Sequence, residues 1–213
     1  YLRCPQSKHI IVLRIQPILV NKLERYGALI VGILILFRIV FGTGLDFFLL
    51  NSLTILAVFY LWFGFFIFTR AIPSDILDRQ KRAAFTPFRI ASSILMGVVY
   101  SVCLISVLYS LFFYPRMQFM LGFSLFLLAT SGSLIGVYVW LNKQEWGFIK
   151  QFFLRSVILG SVVLIMFSVP LEKRLQILFR KHPTFIEAYL EYREDPGSET
   201  ALERLREERS RFR

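Results

Sequence analysis

The chain has 213 residues, 56% of them hydrophobic and 23 of them Phe, with a formal net charge of +11. That apolar share excludes a disordered chain and an ordinary water-soluble domain, and places the protein in the membrane class. The positive charge does not indicate nucleic acid as a partner, because basic residues crowd the ends of the apolar runs, where an anionic cytoplasmic leaflet would meet them.

Residues 1–26 read as a cytoplasmic lead-in, with Arg3, Lys8, Arg14, Lys22 and Arg25 against Glu24. Within it, 10–20 is apolar but interrupted by Arg14 and Pro17. It is too short to span and lacks the small-residue cleavage site of a signal peptide.

Five apolar runs follow in a predicted transmembrane domain over 27–170: 27–41, 49–68, 88–113, 117–141 and 148–169. A spanning helix needs about 20 mostly apolar residues. The first run is short. The fifth carries Lys150 and Arg155 near its start, where long side chains can snorkel to headgroups. The expectation is an all-α integral membrane fold of about five transmembrane helices, arranged as two tandem helical hairpins plus one.

The hairpins align without a gap at an offset of 72 positions. Residues 27–68 placed over 99–140 give ten identities, among them Phe41/Phe113, Leu49/Leu121, Ser52/Ser124, Ala57/Ala129 and Gly64/Gly136. Shared Leu/Phe/Ile-rich composition accounts for roughly half of these. A true duplication would be a parallel repeat, with both copies crossing in the same sense.

The connections set an orientation. Cations collect before residue 27, in 70–89 and in 142–150. The 42–48 connection has none, and the turn at Tyr114-Pro115-Arg116 has one. By the positive-inside rule the N-terminus and the two basic loops are cytoplasmic, in a bacterial inner membrane. A fifth span then puts the tail, 171–213, outside. Lys173, Arg174, Arg180 and Lys181 argue against that placement, whereas the tail's near balance of ten cations and nine acids permits it.

The tail predicts three helices. Leu171, Leu175 and Leu178 share one face, which suits a helix lying on the membrane surface. His182-Pro183 breaks it, and Pro183 suits the first turn of a second helix with Phe185, Tyr189 and Tyr192 on one face. After Asp195-Pro196-Gly197, Ser198 can cap a third helix in which Glu207 and Arg211 pair at i,i+4. With only Ala201, Leu202 and Leu205 apolar, this last helix is expected to be solvated rather than docked on a partner.

Small residues at every fourth position let helices approach closely in lipid. Ser93, Gly97 and Ser101 form such a face, as do Gly132 and Gly136, and Ala129 and Ser133. Packing within the bundle is the plain use of these faces. Docking of other subunits, or of a second copy in a homo-oligomer, is the alternative, and the 117–141 run with two such faces is its best candidate.

Arg38 is a charge inside an otherwise clean run, and an intramembrane ion is a functional candidate. It lies about one turn from Gly42, within reach of outer headgroups, with Asp46 as its natural ion partner. Arg155 is expected to pair with Glu145 or with lipid phosphate. Tyr60, Trp62, Tyr138 and Trp140 are expected in interfacial belts.

No catalytic, cofactor or metal motif emerges. The five runs contain no Asp, Glu or His; His9 and His182 lie outside them; and Cys4 and Cys103 have no metal spacing. Ser133 has no base at its depth. The sequence therefore favours a non-catalytic accessory or scaffold subunit of a larger membrane complex, with the lipid bilayer and other subunits as partners. A small transporter or channel lined by Asn51, Thr54, Ser101, Ser106 and Thr130 is the first rival. A lipid-handling enzyme using Arg38, Arg79 and Arg82 is the second.

Overall fold

The structure, a computed structural model, describes residues 17–69, 86–114, 116–142, 146–195 and 197–211. It is all-helical there: α1 (Pro17–Phe41), α2 (Asp46–Thr69), α3 (Pro87–Leu111), α4 (Met117–Leu141), α5 (Trp146–Ser168), α6 (Leu171–Leu178), α7 (Pro183–Glu194) and α8 (Glu199–Ser210).

α1 starts ten residues before the first apolar run. Pro17 fits a helix start because its missing N–H would be unsatisfied there anyway, and Lys22, Glu24 and Arg25 are good helix formers. Gly42, at φ +89°, ends α1 and donates its N–H to the Arg38 carbonyl at 2.9 Å. A single 3₁₀ turn, Thr43–Leu45, leads into α2, whose first residue is Asp46.

α3 begins with Thr86 accepting the Arg89 N–H at 3.4 Å and Pro87 in the first turn. The α3–α4 turn puts two non-glycine residues, Phe113 (φ 50°) and Arg116 (φ 62°), in the left-handed region. That costs about 1–2 kcal/mol per residue. For Phe113 the cost is offset by burial of its ring, 5.5 Å from both Phe179 and Tyr189 of the tail.

α3 is the central helix, packed against α2, α4 and α5. Its closest neighbour is α2. A Cβ on Gly64 would lie 2.7 Å from the Gly97 Cα, and one on Gly97 would lie 2.7 Å from the Tyr60 carbonyl oxygen. The Ser93/Gly97/Ser101 face is therefore used inside the bundle, where small residues let two backbones touch. α4 sits at the edge: a Cβ on Gly132 or Gly136 would meet nothing within 4 Å. Residues paired by the 72-residue offset accordingly differ in surroundings. Leu49 and Leu121 are both buried, but Ala57 is buried where Ala129 is exposed, and Gly64 is tight where Gly136 is open.

By length and composition, α2, α3 and α4 can cross a membrane, and α5 joined to α6 makes a fourth candidate broken by a 104° bend. The bend falls at Val169-Pro170. The sequence expectation of about five spans is thus met by three to four. α1, though 25 residues long, falls outside that set by composition, because Lys22, Glu24, Arg25 and Arg38 interrupt its apolar run. Large apolar side chains such as Phe47, Trp62, Phe126, Trp140 and Phe153 face outward, as lipid-facing positions would.

The tail forms the three expected helices and folds back on the bundle end where α1 and α3 finish. Leu175, Leu178, Phe179 and Phe185 are buried there. Ser198 caps α8, accepting the Ala201 N–H at 3.3 Å, and Arg211 pairs with Glu207 at 3.0 Å. α8 departs from the solvated expectation. Ala201 and Leu205 are buried, and α8 docks on α7, with Arg204 bound to Glu191 at 2.5 Å and Thr184 to Glu208 at 2.7 Å. Three apolar residues suffice because its neighbour within the chain covers them.

Candidate functional site

The buried polar groups gather at the two ends of the bundle. At the end bearing the 70–85 and 143–145 connections, Glu24 of α1 is only 4% exposed. It accepts two hydrogen bonds from Arg155 of α5, at 2.6 and 2.7 Å, and a third from the Tyr60 hydroxyl of α2 at 2.7 Å. Arg155 also lies over the Phe68 ring, 5.3 Å from its centroid. Beside it, the Tyr100 hydroxyl of α3 bonds the Phe152 carbonyl at 2.9 Å and Ser156 Oγ at 2.7 Å, and the two tyrosine rings meet edge to face at 5.5 Å. This cluster joins α1, α2, α3 and α5.

It corrects one expectation, that for Tyr60, and gives Arg155 a partner that the sequence did not mark. Arg155 takes Glu24 as carboxylate partner, while Glu145 lies outside the described residues. Tyr60 is not an interfacial belt residue but a buried donor. Once α1 extends back to Pro17, Glu24, which precedes the first apolar run, stands seven residues inside a helix, about 10 Å from its start.

At the opposite end Arg38, 2% exposed, forms the expected ion pair with Asp46. It also donates to the Leu111 carbonyl at 3.0 Å and sits over the rings of Phe112, at 4.5 Å, and Phe179, at 5.5 Å. The expectation that Arg38 snorkels to headgroups is corrected: α6 and the α3–α4 turn cover it, so its charge is answered from within the protein. Arg174 of α6, also buried, donates to Ser110 Oγ at 2.6 Å, while its Nε and second Nη find no partner among the described residues. Arg180 donates to the Val40 carbonyl, tying the tail to the end of α1.

The polar residues proposed to line a pathway are not brought together. Asn51 and Thr54 lie on an exposed face of α2 and bond the carbonyls of Phe47 and Leu50; Thr130 bonds that of Phe126. Ser101 and Ser106 are buried in α3, and Ser106 is held by the Cys103 carbonyl and by Ser124, each within 3 Å. Arg79 and Arg82 lie outside the described residues, so they are not seen beside Arg38. Among the described residues no three His, Cys, Asp or Glu side chains gather at one point.

The cavities among the described residues include two of note. One, about 600 Å³, is an open apolar groove between α4 and α5, floored by Gly132, Ser133 and Gly136 and walled by Leu128, Trp140 and Phe153. The other, about 300 Å³, lies between α1 and α5 beside the Glu24–Arg155 pair.

The fold and these sites define an all-helical protein with three to four helices able to cross a membrane. The chain matches no protein-family model, no curated protein and no solved structure.

Proposed function

We propose that the chain is a non-catalytic accessory or scaffold subunit of a larger complex in a bacterial inner membrane. Its N-terminus and basic loops would be cytoplasmic and its tail external, with α1 and α5 crossing the bilayer beside α2, α3 and α4. The observation that carries this reading is the open face of α4. Gly132 and Gly136 have no neighbour within 4 Å, and they floor a groove whose walls are apolar. In lipid there is little hydrophobic drive between helices, so association depends on backbones approaching closely over small residues. The equivalent glycine on α2, Gly64, is spent on α3, whereas that of α4 is unused. The Glu24–Arg155 and Arg38–Asp46 pairs support a scaffold role too, because they tie helices together rather than line a passage. The occupant of the groove is a transmembrane helix of another subunit.

The test is purification in mild detergent of the chain from its own membrane, beside a Gly132→Leu/Gly136→Leu variant. The wild type should run as a larger assembly with one defined partner crosslinked to a photoreactive residue at position 133, and the variant should run alone yet stay folded. A wild type that is monomeric and uncrosslinked would overturn the proposal. Crosslinks only to a second copy of the chain would replace the heteromeric reading with a homo-oligomer.

A further inference from the structure

The smaller cavity, between α1 and α5, has the chemistry of an anion site. It opens beside the Glu24–Arg155 pair, and Arg25 and Lys150 also line it. Among the described residues that line it, three cations against one carboxylate leave two positive charges, and Glu24 already spends its oxygens on Arg155 and Tyr60. Asn21 adds a side-chain oxygen that is buried without a partner among the described residues. Because amide oxygen and nitrogen are interchangeable by a flip, this carboxamide can present its donor to the cavity, and an acceptor there would satisfy it. The far wall is apolar, made by Ala28 and the exposed Leu154. At about 300 Å³ the cavity lies at the lower end of small-ligand sites. A strongly basic, donor-rich mouth with an apolar wall suits an amphiphile bearing a phosphate.

We propose that this cavity binds a phosphate ester, with Arg25 and Lys150 holding the phosphate oxygens and Asn21 donating a further hydrogen bond. Arginine matches two phosphate oxygens with its planar fork and lysine supplies a point charge, so the pair tolerates both a monoester and a diester. The Glu24–Arg155 pair joins α1 to α5 and so holds the helices that carry Arg25 and Lys150 at a fixed spacing. The site sits at the bundle end carrying the basic connections, where anionic headgroups would lie at an inner leaflet. The same chemistry fits an anionic phospholipid headgroup and a soluble phosphate ester.

The experiment compares the detergent-solubilised full chain with an Arg25→Gln/Lys150→Gln variant and, separately, with Asn21→Asp. A third variant, Lys173→Gln/Arg193→Gln, removes the same charge from the exposed tail. Thermal stability and native mass spectrometry are read with phosphatidylglycerol, with phosphatidylcholine, and with glycerol 3-phosphate. The expected result is retention and stabilisation by phosphatidylglycerol over phosphatidylcholine, weakened at least ~10-fold in both cavity variants and kept in the tail variant. An equal response to glycerol 3-phosphate upholds the site and assigns it to a soluble phosphate ester. No preference between the two lipids with no response to glycerol 3-phosphate, or a preference that survives both cavity variants, overturns the proposal.

Discussion

Glu24 and Arg155 lie 131 residues apart in the chain, yet their side chains meet through two hydrogen bonds of 2.6 and 2.7 Å. The contact closes the bundle at one end, joining the first helix to the fifth, and Tyr60 adds the second helix to the same carboxylate. At the other end Arg38 and Asp46 do the corresponding work over eight residues, with the tail laid across them.

The first prediction concerns that long-range pair. Glu24→Gln leaves Arg155 without its counter-ion and should cost about 2–3 kcal/mol, less than a fully buried pair because a quarter of the Arg155 side chain is exposed. A double-mutant cycle with Arg155→Gln, read by thermal unfolding in detergent, should give a coupling above about 1 kcal/mol. Additive single effects would show that the contact is not formed.

The Arg38–Asp46 pair should behave as a buried ion pair whose charges need each other. Asp46→Asn strands a covered guanidinium and should destabilise by about 3 kcal/mol. Replacing both, as Arg38→Met/Asp46→Leu, should recover most of that loss. If the double variant is no more stable than Asp46→Asn alone, headgroups or water, not Asp46, answer the charge.

Helix contact at glycine separates α2–α3 from α4. Gly97→Ala places a methyl 2.7 Å from the Tyr60 carbonyl and should destabilise by about 1–3 kcal/mol as the helices move apart. Gly132→Ala meets nothing and should be neutral, or stabilising by up to about 1 kcal/mol through helix propensity. Equal effects from the two changes would contradict the packing.

Cys103 is fully buried in α3 and should resist a thiol reagent in the folded chain, reacting only as the bundle opens. In a Cys4→Ser background, the labelling rate should rise in Glu24→Gln in proportion to its loss of stability. Fast labelling of the intact protein would place Cys103 at the surface.

The docking of α8 rests on apolar contact more than on its ion pairs. Leu205→Ala should release the helix at a cost of about 2 kcal/mol, seen as early proteolysis after residue 195 with the bundle intact. Glu191→Gln, at a half-exposed pair, should cost no more than about 1 kcal/mol. The reverse ranking would make the charges the anchor.

Much of the architecture is set by the residues alone. Long apolar runs, the Gly42 turn, Pro183 and the Ser198 cap act within one or two turns of helix, so the bounds of α2 to α8 follow from local chemistry. The Arg38–Asp46 pair was legible for the same reason, since a single turn brings the two together. What lies between distant helices was not. Glu24 reads as a surface acid until α1 is known to reach back to Pro17, and Tyr60 reads as a belt aromatic until α1 and α5 stand beside it. No local signal marks a partner 131 residues away. Likewise the sequence shows small residues on both α3 and α4, but only packing decides that Gly97 meets Gly64 while a Cβ at Gly132 or Gly136 would meet nothing. Composition fixes which segments avoid water; which faces of them meet depends on side-chain shape and charge across the whole chain, and that is decided only when the helices come together.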